Sequence, residues 1–213
     1  MADVTKPIFD SALASRQATI LDDELDLEDV QVSDLDWSNQ TAKGISLSGV
    51  VATKGDFTGA VLPKAALRDV RLEKCQLSGV QIEEGGLNRL EILDAQAAGL
   101  TITNAVIADV TFKGCRLNLS NFRFTHFKKV VFEDCILTEA DLAYAKLENV
   151  WFRACDLTGA QFSNVSLSHV DLRTSTIEGI KGVAALKGAT IDHLQLIAMS
   201  QSLASELGIK VLD

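Results

Sequence analysis

The chain has 213 residues, 47% of them apolar and 23% charged, with two prolines and a formal net charge of −9. That is enough apolar chain for one sizeable core and too much for an intrinsically disordered protein. Twenty basic residues against 29 acidic ones count against direct binding of nucleic acid, and no run of 18 apolar residues reads as a membrane span.

Residues 1–24 show no periodicity and lack the basic region followed by an apolar run that marks a signal peptide, so a cytoplasmic protein is expected. Pro7, Ile8, Phe9 and Leu13 are expected to form an N-terminal cap over the first turn of the periodic region.

From residue 25 onward the sequence has a period of five. Stepping by five from Leu27 through Val32, Trp37 and Ala42 to Leu172 and Ile177 meets an apolar residue at all 31 positions. At the chain's overall composition, chance would produce this on the order of 10⁻¹⁰ of the time. A second inward series of smaller residues, such as Ala60, Val70, Cys75, Ala140 and Val150, lies two residues before each centre. The residue just before a centre is commonly polar (Asp56, Asn121, Asp141, Asp156), and eight glycines from Gly44 to Gly179 fall two residues after one, where a tight turn needs positive φ. A period of five matches neither a helix nor a simple strand, and fits a short extended step and a turn repeated along the chain.

The runs Gly-Asp-Phe-Thr-Gly (55–59), Ala-Asp-Leu-Ala-Tyr (140–144) and Cys-Asp-Leu-Thr-Gly (155–159) resemble the A(D/N)LXX consensus of the pentapeptide-repeat family. The resemblance covers residues 25–179 and implies an all-β solenoid, a right-handed quadrilateral β-helix with four pentapeptides per coil and just under eight coils. At ~4.8 Å per coil this is a rod about 37 Å long. With a 20-residue coil, Cys75, Cys115, Cys135 and Cys155 fall in one column, with Ala95 in the vacant place. They lack a C-x-x-C pair and a histidine in register, and read as buried core thiols, with no metal or disulfide implied. Phe112, Phe132 and Phe152 form another interior column, continuing Leu72 and Ile92.

Residues 180–213 leave the register. Lys181–Ala189 breaks the period, and the segment from Thr190 to Gly208 reads as a helix, with Thr190 or Asp192 as N-cap and Gly208 as the stop. In the family's gyrase-targeting members, the Qnr proteins and mycobacterial MfpA, a comparable segment forms a twofold dimer contact. The resemblance therefore implies a homodimer through Leu194, Ile197, Leu203, Leu207 and Ile209.

Sorting charges by side of the prism places Asp36, Asp56, Glu139, Asp156 and Glu178 on the cysteine side against Arg116 alone, an expected acidic stripe. Residues 1–60 carry 11 acids and four bases. Phe124 and Tyr144 are expected to stack outward, and Arg68, Arg71 and Lys74 to form a solvated basic cluster. His126, His169 and His193 fall on different sides or in the cap, with no carboxylate pair in register. The segment 181–188 lacks the phosphate-loop pattern, so neither enzyme activity nor a cofactor is expected. The resemblance implies a DNA-mimicking partner of DNA gyrase or topoisomerase IV that modulates its activity or quinolone susceptibility. The absence of internal loops is more similar to MfpA than to Gram-negative Qnr proteins. A scaffold for an unrelated partner and a toxin self-immunity protein are the alternatives.

Overall fold

The computed structural model describes residues 3–9, 13–16 and 20–211. The 20-residue turn is explicit in the pairing: Leu47 lies beside Leu67, Leu67 beside Leu87, Leu87 beside Ile107, and Phe127 beside Leu147, always in parallel. One parallel sheet runs through the strands Ala14–Arg16, Val30–Ser33, Ser46–Thr53, Ala66–Glu73, Gly86–Leu93, Val106–Lys113, His126–Glu133, Lys146–Arg153, Ser166–Asp171 and Ala189–Thr190. Each eight-residue strand bends around one corner and so serves two sides of the prism. The other two sides are held by single bridges such as Asp56 to Gln76 and Asp141 to Gln161, with a short two-stranded sheet at Gln81–Glu83 and Thr101–Thr103. The result is an all-β parallel solenoid of about nine turns, roughly 43 Å long at ~4.8 Å per step.

The extra length comes from both ends. Ala14 pairs with Val30, 16 residues on, and Val170 with Ala189, 19 residues on, so strand pairing outlasts the pentapeptide register. An open parallel edge leaves backbone donors and acceptors unpaired, and these irregular strands cover it. Leu21 and Leu25 close the N-terminal core, whereas Ile8 and Phe9 lie elsewhere, against the side of the rod.

All the centres from Leu27 to Ile177 are buried except Leu167, which is half-buried. The corners are more uniform than the glycines suggest. Every fifth residue from Glu24 to Gly179 has a left-handed backbone, and most of these are not glycine: Lys54, Arg89, Leu119, Phe124 and Tyr144 all sit at φ between 54° and 61°. The carbonyl of the centre accepts from the N–H three residues on, as in Ala140 to Leu137 at 3.0 Å and Ala160 to Leu157 at 2.9 Å, which makes the corner a type II-like turn. Left-handed backbone costs an L-residue on the order of 1–2 kcal/mol, and the ladders on both sides hold it in place.

After a 3₁₀ turn at Val183–Leu186, the helix His193–Glu206 starts on Asp192. Asp192 accepts from the Gln195 N–H and Gln195 returns a bond to the Asp192 N–H, both 2.9 Å, a complete capping box. The buried Gln195 amide also donates to the carbonyls of Leu172 and Ser175 at 2.6 Å, which fastens the helix to the last coil.

Candidate interaction surfaces

The aspartates before the centres have structural work. Asp36, Asp56 and Asp156 accept from the N–H groups of Ser38, Thr58 and Thr158 at 2.9 Å, closing a side-chain turn two residues long. Asp141 does the same with Ala143. The bonds from Ser38 hold the Asp36 carboxyl below the usual carboxylate range. An acceptor oxygen is what the turn needs, which is why Asn121 can replace an aspartate and accept from Arg123 at 3.1 Å.

The expected acidic stripe divides in two. Along its column the outward residues run Asp36, Asp56, Gln76, Gln96, Arg116, Ile136, Asp156 and Thr176. Asp36 and Asp56 are neighbours near the N-terminal end, and Glu139, Asp156 and Glu178 occupy three successive levels near the other. Between the two groups lie three levels without a carboxylate, centred on Gln76, Gln96 and Arg116. The densest acidity is on the first coil, where Asp22, Asp23, Glu24, Asp26, Glu28, Asp29, Asp34 and Asp36 form no ion pair among the described side chains.

Elsewhere the period pairs charges across coils. Arg71 meets Glu91 at 2.7 Å, Lys113 meets Glu133 at 2.6 Å and Lys64 meets Glu84 at 3.5 Å, each pair 20 residues apart. Arg68 and Lys74 lie 3.6 and 3.4 Å from Asp69 and Glu73, so the basic cluster expected there is neutralised by its neighbours. His126 meets a single carboxylate: Glu148 lies 3.1 Å from Nε2 and is itself held by Lys146 at 2.5 Å. The 20-residue register, which sets Lys128 beside Glu148, brings this pair together. It stands on a convex face, and among the described residues no group of three or more His, Cys, Asp or Glu side chains could hold a metal ion.

Phe124 and Tyr144 stack outward, with ring centroids 5.1 Å apart and planes 14° from parallel. Arg123 covers both rings at 5.5 and 5.3 Å and reaches Asp141 at 3.0 Å, an assembly that only the register brings together. The cysteine column is interior. Its thiols donate to carbonyls one coil back, Cys115 to Ile92 at 3.2 Å and Cys135 to Phe112 at 3.4 Å, and Ser175 repeats the bond to Phe152 at 3.0 Å. Burial pushes the Cys75 thiol up to about 11.

At the C-terminus Met199 and Leu203 turn toward the rod with Gln195. Leu194, Ile197, Leu207 and Ile209 remain exposed, Leu194 at 76%. Four of the five residues expected at a dimer contact are thus exposed, while Leu203 packs against the core. No described helix is long and apolar enough to cross a membrane.

A 20-residue parallel turn with four left-handed corners, small inner residues and side-chain-capped turns defines a pentapeptide β-solenoid. Family models agree: one for the pentapeptide repeat region matches residues 105–181, and one for eight pentapeptide copies matches 43–82. The chain belongs to the pentapeptide-repeat family. No curated protein sequence matches it. Among solved structures it is similar to full-length QnrB1, a plasmid-mediated fluoroquinolone resistance protein, at 22% identity and a TM-score of 0.42 over 92% of this chain and all of that one. It is also similar to HetL from Nostoc sp. strain PCC 7120, involved in regulating heterocyst differentiation, at 16% identity and a TM-score of 0.40 over 79% and 90% of the two chains. A pentapeptide-repeat protein of the Arabidopsis thaliana thylakoid lumen has 19% identity and a TM-score of 0.30, with 69% of each chain covered.

Proposed function

We propose that this protein is a non-catalytic, DNA-imitating ligand of DNA gyrase or topoisomerase IV that competes with DNA and so modulates enzyme activity or the response to quinolones. The observation that carries the reading is the concentration of carboxylates on the first coil of the rod, which meet no cation among the described side chains. A basic DNA-binding saddle would attract that end and orient the rod by its field. Magnitude sets the mode of action. Duplex DNA carries one charge per ~1.7 Å, about 25 over a 43 Å rod, against a formal −9 for the protomer. The protein supplies a fraction of the charge of DNA at fixed positions, a fit for competition and not for replacing every phosphate contact. Pairing of two rods through the exposed Leu194, Ile197, Leu207 and Ile209 would give a longer twofold molecule with the acidic coils at its far ends.

Supercoiling by gyrase, titrated with this protein with and without ciprofloxacin, tests the proposal. Inhibited supercoiling or reduced drug-induced cleavage is expected. Unchanged activity and cleavage at a large molar excess would refute it. Light scattering tests the dimer, for which a mass near 46 kDa is expected, twice the 22.9 kDa of the chain.

The Arg123, Phe124 and Tyr144 assembly favours a second reading, a scaffold whose partner docks on that corner. Aromatic and arginine side chains dominate binding hot spots. Phe124→Ala with Tyr144→Ala would then abolish partner capture while leaving gyrase unaffected.

A further inference from the structure

Residues 3–9 do not cap the rod. They run across it. The Thr5 N–H donates to Asp109 Oδ1 and the Ile8 N–H to Asp69 Oδ1, both at 2.9 Å. Three residues of chain therefore span the 40-residue separation of two coils, about 10 Å, the reach of three extended residues at ~3.3 Å each. The strap lies at right angles to the strands, over a corner built from Asp69, Arg89 and Asp109, one from each successive coil and all left-handed.

The corner beneath the strap also has ion pairs of its own. Arg89 binds Asp69 through both Nε and Nη2, and Asp69 is buried to 8% exposure. The Arg89 pair holds the Asp69 carboxyl below its usual range. Arg71 takes one oxygen of Glu91 through two nitrogens, at 2.9 and 2.7 Å, and leaves the other facing Lys6 at 3.9 Å. The Arg71 guanidinium also covers the Phe9 ring at 5.2 Å. The strap contributes two N–H groups three residues apart, a cation between them and an aromatic ring at its end.

These contacts are few and mostly wet. Lys6 and Ile8 are exposed, and an exposed ion pair at 3.9 Å adds little. A segment held this way opens locally at low cost compared with the solenoid. A polar corner with its own ion pairs, overlaid by a weakly held extended segment, has the arrangement of a peptide site carrying its own ligand.

We propose that the corner surface along Asp69, Arg89 and Asp109, flanked by Arg71 and Glu91, is a docking site for an extended peptide of a partner protein, with a basic residue followed three positions later by an aromatic one. Residues 3–9 occupy it in cis and set a threshold that the partner must exceed. Carboxylates that accept backbone N–H groups fix the peptide's direction, Glu91 selects the cation and Arg71 the ring. A tethered segment competes at an effective concentration near millimolar, so the intact protein should bind free peptide weakly.

The test uses the full chain and a synthetic peptide of residues 2–10 carrying 4-fluorophenylalanine in place of Phe9, followed by ¹⁹F NMR. In the Thr5→Pro, Ile8→Pro double variant the strap loses both N–H donors and the rod is untouched. Saturable one-to-one binding is expected, at least tenfold tighter than to the unaltered protein, and lost when the peptide's lysine is changed to glutamate. Lys6→Glu with Phe9→Ala in the protein, which loosens the strap by another route, should also expose the site. No saturable shift with either variant, or equal affinity for the unaltered chain, would overturn the proposal. So would loss of the fold in either variant, because the segment would then be part of the rod and not a ligand of it. Failure here leaves the topoisomerase reading intact, since the acidic first coil has no part in this site.

Discussion

The two halves of the rod share a backbone and differ in filling. From Phe112 to Phe162 the interior is built on rings. Phe112, Phe132 and Phe152 stack 4.8 and 4.9 Å apart within 7° of parallel, and Phe122, Phe127 and Phe162 meet that column at a tilt. From Leu47 to Ile102 the same positions hold mostly leucine and isoleucine, around a wholly apolar cavity of about 40 Å³. Coil spacing falls within the centroid separation of offset-stacked rings, so the solenoid accepts a phenylalanine column. Branched aliphatic side chains cannot stack in the same way and leave space along the axis. Backbone register and packing density are therefore separate properties of this fold, the first set by corners and ladders and the second by which side chain fills each level.

Substitutions can widen or close this difference. Phe132→Ala, removing the middle of the ring column, should destabilise the protein by about 3–5 kcal/mol, and Leu67→Ala beside the cavity by about 2–3 kcal/mol, because a looser wall collapses more completely. Equal losses in denaturant titrations would erase the distinction. Ile92→Phe extends the ring column by one level into the cavity, and at ~24 cal/mol per Å³ the filled space is worth about 1 kcal/mol of added stability. A lower melting temperature for this variant would show that the leucine half is full.

The thiols probe the same interior chemically. All four thiols are buried, and burial raises Cys75 to about 11, so native protein at pH 8 should not react with a disulfide reagent, whereas denatured protein exposes all four cysteines. The sign follows from linkage. An unfolded thiol ionises near ~8.5, so this contribution to stability is complete below that pH and is lost as pH rises through about 11. Stability that increased between pH 8.5 and 11 would contradict a buried neutral thiol. The smallest effect is expected at a corner. Leu119 is exposed at φ 59° where the coils before it carry Gly59, Gly79 and Gly99, and Leu119→Gly should stabilise by about 0.5–1 kcal/mol.

Much of this was legible from the period alone. The inward series places the core, the spacing of 20 stacks the cysteines and phenylalanines, and outside the period Asp192 is one of the two N-cap candidates. Position along the axis was harder to read. Summing charge over one side of the prism joined Asp36 and Asp56 to Glu139, Asp156 and Glu178, although three levels without a carboxylate divide them. The left-handed corners were visible only where glycine occupies them, because the ladders impose the same conformation on Lys54, Arg89 and Tyr144. The strap was not legible, since residues 3–9 carry no period to register them against the rod. Its receiving side was in view: Asp69, Arg89 and Asp109 alternate in sign at intervals of 20.

The proposed function rests on the acidic first coil. Displacement of a fluorescent DNA duplex from gyrase, read as anisotropy, compares the unaltered protein with two neutralised forms. One carries asparagine at Asp22, Asp23, Asp26, Asp29 and Asp34. The other carries glutamine at Glu139 and Glu178 and asparagine at Asp156. Asparagine keeps the acceptor oxygens that Asp23 and Asp156 offer to the Lys43 and Thr158 N–H groups, so the fold is expected to be retained. Displacement by the unaltered protein is expected, with at least tenfold weaker displacement by the first variant and a smaller loss for the second. No displacement by the unaltered protein, or undiminished displacement by the first variant, would contradict a DNA-imitating role for that coil.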